Sequence, residues 1–194
     1  MPAPGMPTRA NAVISLLDEP TASRVRALWS ELDSTLGLRG IQVMPYPHFT
    51  YHVAEAYDRA PLDEALEARA GRTAPFTVRT TGVGTFAPPW PVVYLALAED
   101  PALRELHRAI SALCSPFARG ETEFYGPARC TPHISLAYGD ERTATPLRAD
   151  EVDRVLRTLE GRDLHWTIPI DNLAFVEDDG SVHKPVRTFR LAGR

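Results

Sequence analysis

Cysteine is scarce in this sequence of 194 residues, which contains only Cys114 and Cys130. One lies in a predicted helix and the other just before a predicted strand, so they do not form a recognisable disulfide framework. Reduced thiols are typical of the cytoplasm, and we therefore expect a cytoplasmic protein.

Positive charge and long apolar runs are also sparse. Lys184 is the only lysine, the formal net charge is −4 and the pI is near 5.9. Binding a long nucleic-acid duplex calls for a basic stripe, whereas binding a small nucleotide or a short RNA end does not. The longest apolar run, 92–98, is too short to span a bilayer, and the proline-rich stretch 1–9 lacks the apolar core of a signal peptide. We expect a monomer with a flexible N-terminus and no membrane partner.

Several common signatures are missing from the sequence. It has no Gly-x-Gly-x-x-Gly or Walker sequence and no Gly-x-Ser-x-Gly elbow, which argues against nucleoside-triphosphate and α/β-hydrolase chemistry. The apolar content of 44% is nevertheless sufficient for one compact domain over residues 1–194, or for two small lobes that share a core.

Two histidines are each followed, two residues later, by a hydroxyl residue. The pairs are His48-Phe49-Thr50 and His133-Ile134-Ser135, and each follows a proline inside a predicted strand. Side chains alternate along a strand, so the two members of a pair point the same way, about 6.6 Å apart. Each strand therefore offers a phosphate one proton carrier and one hydroxyl donor.

A third pair, His165-Trp166-Thr167, shows that chance alone produces such matches. We predict an internal duplication with units of about 10–91 and 92–194. Aligning the two units shows which of the three pairs correspond to each other. In this alignment His48 matches His133, whereas His165 falls opposite Pro75. We therefore expect His165 to lie outside the site.

The duplication rests on a recurring order of strand, helix, strand, helix and strand. The matched segments are Val13–Pro20 with Val93–Pro101, Pro47-His48 with Pro132-His133, and Phe76-Thr77 with Trp166-Thr167. Apolar periodicity predicts strands at 12–17, 76–86, 92–98, 133–138, 166–176 and 186–191, in addition to the strand with His48. It predicts helices starting at Pro20, Pro61, Pro101 and Asp150.

The remaining histidines suggest neither a metal site nor a second catalytic group. Alternation places His52 on the face of His48 and Thr50, but about 13 Å along the strand from His48, too far for the two to share a zinc ion. We expect His107 to be an exposed or half-buried helix residue and His183 to be a residue at a strand edge. No metal and no cofactor is expected.

With these residues in place, the sequence resembles the 2H phosphoesterase superfamily, which includes 2′-5′ RNA ligase-like proteins and cyclic nucleotide phosphodiesterases. The resemblance covers nearly the whole chain. It rests on three segments: Pro47-His48-Phe49-Thr50-Tyr51, Gly84-Thr85-Phe86 leading into Val92–Leu95, and Pro132-His133-Ile134-Ser135-Leu136. It implies an α+β fold of two lobes related by a pseudo-twofold axis. Each lobe has an antiparallel sheet flanked by helices, and a central cleft lies between them.

The resemblance also assigns the site. It implies that His48, Thr50, His133 and Ser135 are the catalytic residues. Substrate-binding candidates lie near the motifs in sequence: Arg129 as a phosphate clamp, and Tyr51, Phe86, Trp90, Tyr125 and Tyr138 as stacking surfaces for a base. Tyr138 stands where many ligase-like relatives have arginine, which favours a phosphoesterase over a ligase.

Two histidines on opposite sides of a phosphate provide the proton acceptor and the proton donor that in-line displacement requires. The expected reaction is metal-independent opening of a 2′,3′-cyclic phosphate on a nucleotide or RNA end. One alternative is a 2′-5′ RNA ligase or 2′-5′ phosphodiesterase using the same acid–base pair. The other is a non-catalytic module that binds a nucleotide or RNA. We expect the 121–127 insertion to be the loop that closes over the cleft.

Overall fold

The computed structural model describes residues 10–39, 41, 44–140 and 145–193. The predicted flexible stretch 1–9 lies outside the described residues. The described part contains nine strands, four α-helices and two short 3-10 helices. The strands are β1 Asn11–Leu16, β2 His48–Tyr57, β3 Phe76–Phe86, β4 Val92–Leu97, β5 Ala118–Glu121, β6 His133–Tyr138, β7 Thr167–Ile170, β8 Asn172–Asp178 and β9 His183–Arg190. The helices are α1 Glu19–Leu36, α2 Arg59–Ala70, α3 Pro101–Cys114 and α4 Ala149–Leu159, with 3-10 helices at Ser115–Phe117 and Glu123–Tyr125.

The strands form two antiparallel sheets, which confirms the predicted α+β class. The first sheet has the order β5-β2-β1-β8-β9, and the second has the order β6-β4-β3-β7. The first motif strand, β2, therefore lies inside the first sheet, and the second motif strand, β6, lies at an edge of the second sheet. Each sheet contributes one of the two histidine motifs.

The helices pack across the two halves of the chain. Helix α1 packs against β6 and α4 on the second sheet, whereas α3 packs against β2 and α2 on the first sheet. Each half of the sequence thus covers the motif strand of the other half. No helix in the described part of the chain is long and apolar enough to cross a membrane.

The strand predicted at 166–176 is wrong as a single element. Strand β7 pairs with β3 in the second sheet, and β8 pairs with β1 in the first sheet. The chain passes from one sheet to the other at the exposed residue Asp171. Apolar residues continue on both sides of this crossing, so periodicity alone gave no sign of it.

The pairing of β3 with β7 agrees with a pseudo-twofold axis. The alignment of Phe76-Thr77 with Trp166-Thr167 makes Val78 the counterpart of Ile168. In the structure, Val78 and Ile168 are directly paired with each other. A residue pairs with its own counterpart only close to such an axis.

Two apolar clusters lie on opposite faces of the first sheet. The larger one is the main core beneath the helices. The smaller one, here called the cleft cluster, consists of Ala12, Ile14, Met44, Val53, Ala174 and Val176. Tyr138 of the second sheet packs against this cluster. The sheet face that carries it, here called the cleft face, is therefore turned toward the other lobe.

Helix α3 begins with a side-chain cap that α1 lacks. Asp100 Oδ1 accepts hydrogen bonds from the backbone N–H groups of Ala102 (2.9 Å) and Leu103 (3.0 Å). We expect Asp100→Ala to lower the free energy of unfolding by about 1 kcal/mol, measured by urea denaturation. Asp18, at the equivalent position of α1, makes no side-chain cap and its buried Oδ1 has no described partner. Asp18→Ala should therefore cause no comparable loss, and equal losses would contradict this account of the cap.

Candidate functional site

A β-bulge in β2 sets the direction of the first motif. Thr50 is paired with Ile14 of β1, but His52 is paired with Val13, so Tyr51 is an extra residue with no opposite partner. Ile14 belongs to the cleft cluster and Val13 to the main core. Thr50 therefore lies on the cleft face, and the bulge turns His52 to the opposite face.

This corrects the expectation that His52 shares the face of His48. The His52 ring is buried and sits between two partners on the core side of the sheet. Its Nδ1 lies 2.6 Å from the hydroxyl of Tyr57, and its Nε2 lies 2.8 Å from a carboxylate oxygen of Glu121. Burial lowers the pKa of His52, although Glu121 opposes that shift.

The second motif strand carries a bulge at the corresponding position. Ser135 pairs with Tyr94 of β4 and Ala137 pairs with Val93, which leaves Leu136 as the extra residue. In both motif strands the bulge thus directly follows the motif hydroxyl residue. This repeated irregularity supports the duplication and gives the two motifs the same local geometry.

Both motif histidines are held in the same tautomer. His48 Nδ1 lies 2.6 Å from the carbonyl oxygen of Tyr46, and His133 Nδ1 lies 2.8 Å from that of Thr131. A carbonyl can only accept, so each Nδ1 carries the hydrogen and donates it. Each Nε2 then has a free lone pair when the ring is neutral, which makes it available to accept or return a proton.

The proline before each histidine fixes the carbonyl that orients the ring. Proline favours an extended residue before it, and its own carbonyl stays free to accept a hydrogen bond. The Pro47 carbonyl accepts from the Leu17 N–H at 3.0 Å, and the Pro132 carbonyl accepts from the Leu97 N–H at 3.1 Å. Both bonds connect the proline before the motif histidine to the end of the neighbouring strand.

The two motif strands pack against each other, and their histidines interact electrostatically. Burial lowers the pKa of His48 to about 4; the bond to Tyr46 opposes this shift, and the charges of His133 and His183 add to it. Burial also lowers the pKa of His133, against the effect of its bond to Thr131. Both rings are therefore neutral at pH 7 without a ligand. A bound phosphate anion would raise both pKa values and so favour the protonated imidazole that must act as the acid of the pair.

The motif hydroxyls are open to a ligand. Thr50 and Ser135 are half-buried, and within the described part of the chain neither hydroxyl makes a hydrogen bond. Each hydroxyl shares a strand face with a motif histidine. The arrangement can therefore present two imidazoles and two hydroxyl donors to one small anion.

Comparison with known proteins identifies the family of the chain. A model of the 2′-5′ RNA ligase superfamily matches residues 17–181. The chain belongs to this superfamily. The resemblance to 2H phosphoesterases is thereby confirmed. No curated protein matches the sequence.

Several solved structures have a similar fold. The crystal structure of TT0787 of Thermus thermophilus is 20% identical with a TM-score of 0.62, over 96% of this chain and 100% of that one. Escherichia coli LigT in apo form is 15% identical with a TM-score of 0.59, over 94% and 96%. LigT complexed with 3′-AMP is 15% identical with a TM-score of 0.56, over 94% and 97%.

In this member of the superfamily, His133 is flanked by two aromatic rings. The ring centroids of Phe86 and Tyr94 lie 4.9 and 5.2 Å from that of His133, and 4.4 Å from each other. Gly84 pairs with Tyr94 and leaves room for its ring, since a Cβ at position 84 would lie 2.6 Å from two of its carbon atoms. The glycine thus allows the aromatic packing that supports one face of the site.

We expect Gly84→Ala to displace the Tyr94 ring and, through it, His133. Overpacking of this kind costs about 1–3 kcal/mol of unfolding free energy, and kcat should fall with it. Differential scanning calorimetry and a cyclic-phosphate assay measure the two effects. Gly71→Ala is the matched control, because its added Cβ would come no closer than 3.5 Å to another atom. A stable Gly84→Ala variant with full activity would show that Tyr94 does not need this space.

Among the predicted stacking residues, Tyr51 has to be corrected. Its ring is buried in the core behind β2, and its hydroxyl lies 2.9 Å from Ser15 Oγ. It faces away from Thr50 and is not accessible to a ligand at the cleft. Trp90 is half-buried in the loop before β4. Tyr125 and Tyr138 are half-buried and pack against the cleft cluster.

Arg129 is exposed and forms an ion pair with Glu123 at 3.0 Å. It lines a cavity of about 450 Å³ together with His52 and Ser111. None of the four motif residues lines this cavity. The structure therefore does not bring Arg129 together with the motif histidines.

Two helix residues that were not predicted to belong to the site form hydrogen bonds to the motif strands. His107, expected to be exposed or half-buried, is buried, and its Nε2 lies 2.9 Å from the carbonyl oxygen of Tyr51 and 2.8 Å from that of Tyr125. In the other lobe, Trp29 Nε1 donates to the carbonyl oxygen of Ser135 at 3.1 Å. Each bond reaches a motif strand at or next to its motif hydroxyl residue. These hydrogen bonds exist only because α1 and α3 each pack on the motif strand of the other half of the chain, so the sequence did not indicate them.

The remaining predictions concern His165, His183, a metal site and the 121–127 insertion. His165 is exposed just before β7. His183, at the start of the edge strand β9, has a partner that the sequence did not indicate, since its Nε2 lies 3.6 Å from Asp178 Oδ2. In the described ranges, no group of three or more His, Cys, Asp or Glu residues is arranged to hold a metal. The 121–127 insertion, predicted to close over the cleft, contains the last residue of β5 and a 3-10 helix.

Proposed function

We propose that this protein opens 2′,3′-cyclic phosphates at the ends of nucleotides or short RNAs, with His48 and His133 as the acid–base pair. The observation that carries the proposal is the matched state of the two rings. Each has its Nδ1 bound to a backbone carbonyl, and no described residue forms a hydrogen bond to its Nε2. An in-line displacement at phosphorus needs one such nitrogen on each side.

The proposed reaction is a balanced hydrolysis. Water attacks phosphorus and gives a proton to the neutral imidazole on its side, while the bond from phosphorus to the opposite ring oxygen breaks. That oxygen takes a proton from the other imidazole, which was protonated when the anionic phosphate bound. Thr50 and Ser135 donate hydrogen bonds to the non-bridging oxygens and stabilise the charge that develops there. This scheme requires no metal ion.

Ligands of structural relatives support a nucleotide phosphate as substrate. LigT has been crystallised with 3′-AMP, ATP, NADP+ and phosphate. Phe86, next to His133, and Trp90, Tyr125 and Tyr138 are the remaining candidates for stacking on a base. The negative net charge favours a small substrate over a long polyanion.

The test is to incubate the EDTA-treated protein with each 2′,3′-cyclic nucleotide and to follow the product by phosphorus NMR. We expect ring opening that resists the chelator. Activity that returns only with added metal would contradict the proposed mechanism. Tight binding without turnover would instead favour a non-catalytic nucleotide-binding or RNA-binding module.

A second candidate, 2′-5′ RNA ligation or cleavage, is favoured by the superfamily to which the chain belongs. The same acid–base pair would run the ester exchange in reverse, with a 5′-hydroxyl RNA end as the nucleophile. Two RNA halves, one ending in a 2′,3′-cyclic phosphate, provide the assay. A joined product would place this activity beside, or instead of, hydrolysis.

A further inference from the structure

A third imidazole lies on the cleft face of the first sheet. In this sheet Thr50, Ile14 and Ala174 are neighbours across three strands, so Ala174 shares the face of the first motif. Alternation along β8 continues this face through Val176, which belongs to the cleft cluster, to Asp178. His183 of β9 is directly paired with Asp178 and therefore lies on the same face.

Backbone hydrogen bonds hold the carboxylate of Asp178 in place, independently of the imidazole of His183. It accepts hydrogen bonds from the backbone N–H groups of Ala10 (3.2 Å) and Gly180 (2.8 Å). Its Oδ2 lies 3.6 Å from His183 Nε2, and only 13% and 15% of the Asp178 and His183 side chains are exposed. No described residue forms a hydrogen bond to His183 Nδ1, so this nitrogen is available to a ligand.

The charge of His183 affects the pKa of a residue in the proposed reaction centre. Burial is the main cause of the lowered pKa of His48, and a positive charge on His183 adds to it. This agrees with the strand register, which places both residues on the cleft face. Burial lowers the pKa of His183 itself, whereas Asp178, and to a lesser extent Asp179, oppose that shift. Asp179 is in turn paired with Lys184 at 2.9 Å. His183 can therefore be protonated when an additional anion arrives.

The open side of the third imidazole indicates what that anion is. One phosphate between His48 and His133 compensates the protonation of that pair. Asp178 lies on the Nε2 side of His183, so a protonated His183 can still donate from Nδ1 to an oxygen of a second anion. We propose that His183, oriented by Asp178, binds a second phosphate group of the substrate, beside the one held by the two motif histidines. This inference rests on the proposed function and narrows the substrate class. The preferred substrate is then a 2′,3′-cyclic nucleotide with a 5′-phosphate, or an RNA end with an internal phosphodiester.

Three substrates distinguish these sources of the second phosphate. They are a cyclic mononucleotide with a 5′-hydroxyl, the same nucleotide with a 5′-phosphate, and a dinucleotide that ends in the cyclic phosphate. His183→Ala should raise KM about tenfold or more for at least one of the last two, because a charge-assisted hydrogen bond is lost. KM for the first substrate should change far less. Any change in kcat should be small and equal for all three substrates, because His183 is the smallest of the contributors to the lowered pKa of His48. Asp178→Asn should shift KM in the same direction by a smaller factor, and His165→Ala is the matched control.

A binding measurement keeps this inference separate from the proposed function. By calorimetry, wild type should bind adenosine 3′,5′-bisphosphate more tightly than 3′-AMP, and His183→Ala should remove most of that difference. This result does not require turnover, so it can stand even if no cyclic phosphate is opened. An equal loss for all substrates and both ligands would indicate a merely structural role. Equal binding of both ligands by wild type, or an unchanged preference in the variant, would overturn the inference.

Discussion

Replacing either motif histidine with alanine is expected to lower kcat for a 2′,3′-cyclic nucleotide by about 10²- to 10⁴-fold, the usual contribution of general acid–base catalysis. Each variant keeps one imidazole but loses the proton acceptor or donor on one side of the phosphate. His48→Ala and His133→Ala should also turn a bell-shaped pH profile into a single-limbed one. Steady-state kinetics between about pH 5 and 9 measures both effects.

The sequence itself provides the control for this result. His165-Trp166-Thr167 has the same pattern as the two motifs, but His165 is exposed outside both motif strands. His165→Ala should keep nearly all of the wild-type activity. A large loss in this variant, or a loss of less than about tenfold in both motif variants, would contradict the assignment of His48 and His133.

The second large effect concerns the motif hydroxyls. Thr50→Val and Ser135→Ala each remove one donor to the phosphate oxygens while keeping most of the side-chain shape. Because the charge on these oxygens increases in the transition state, we expect kcat to fall by about 10²- to 10³-fold with a smaller change in KM. Stopped-flow or discontinuous kinetics over cyclic-nucleotide concentrations that span KM separates the two parameters.

Thr77→Val is the matched control for the hydroxyl variants. Thr77 is exposed on β3, in the segment paired with β7, away from both motif strands. Its variant should match wild type in kcat and in unfolding free energy. If Thr50→Val raised KM alone and left kcat intact, its hydroxyl would bind the ground state without stabilising the transition state.

The motif positions followed from the sequence because they depend on local patterns. A proline, a histidine and a hydroxyl two residues later fix a strand and its facing side chains, and the duplication separates His48 and His133 from His165. The ends of several helices and strands also depend on local signals in the sequence. The stop of α1 at Gly37 is one example, since its φ of +70° is the left-handed conformation that glycine adopts readily.

The features that the sequence did not reveal depend on pairing between distant segments. Nothing near Tyr51 or Leu136 marks them as bulged residues, because a bulge is defined only by the register with β1 or β4. The bulge at Tyr51 turned His52 away from the cleft, against simple alternation. His183 acquired a role only when β9 placed it opposite Asp178.

The cleft is asymmetric even though its two motifs match. Aromatic rings of Phe86 and Tyr94 pack around His133, whereas the charges of His133 and His183 add to the effect of burial on the pKa of His48. Burial is the main cost of protonating either ring, and only at His48 do the charges of neighbouring imidazoles add to it. This difference gives a physical reason for the two rings to take unequal shares of the proton when a phosphate binds.

The most direct test of the central claim, that both motif histidines act on one phosphate in one cleft, is a titration of the wild-type protein with inorganic phosphate. The imidazole resonances are followed by NMR and assigned with the alanine variants. We predict that the His48 and His133 signals shift together with a single Kd and that both pKa values rise, while the His165 signal stays in place. Separate Kd values for the two rings, or a response from only one of them, would contradict the account.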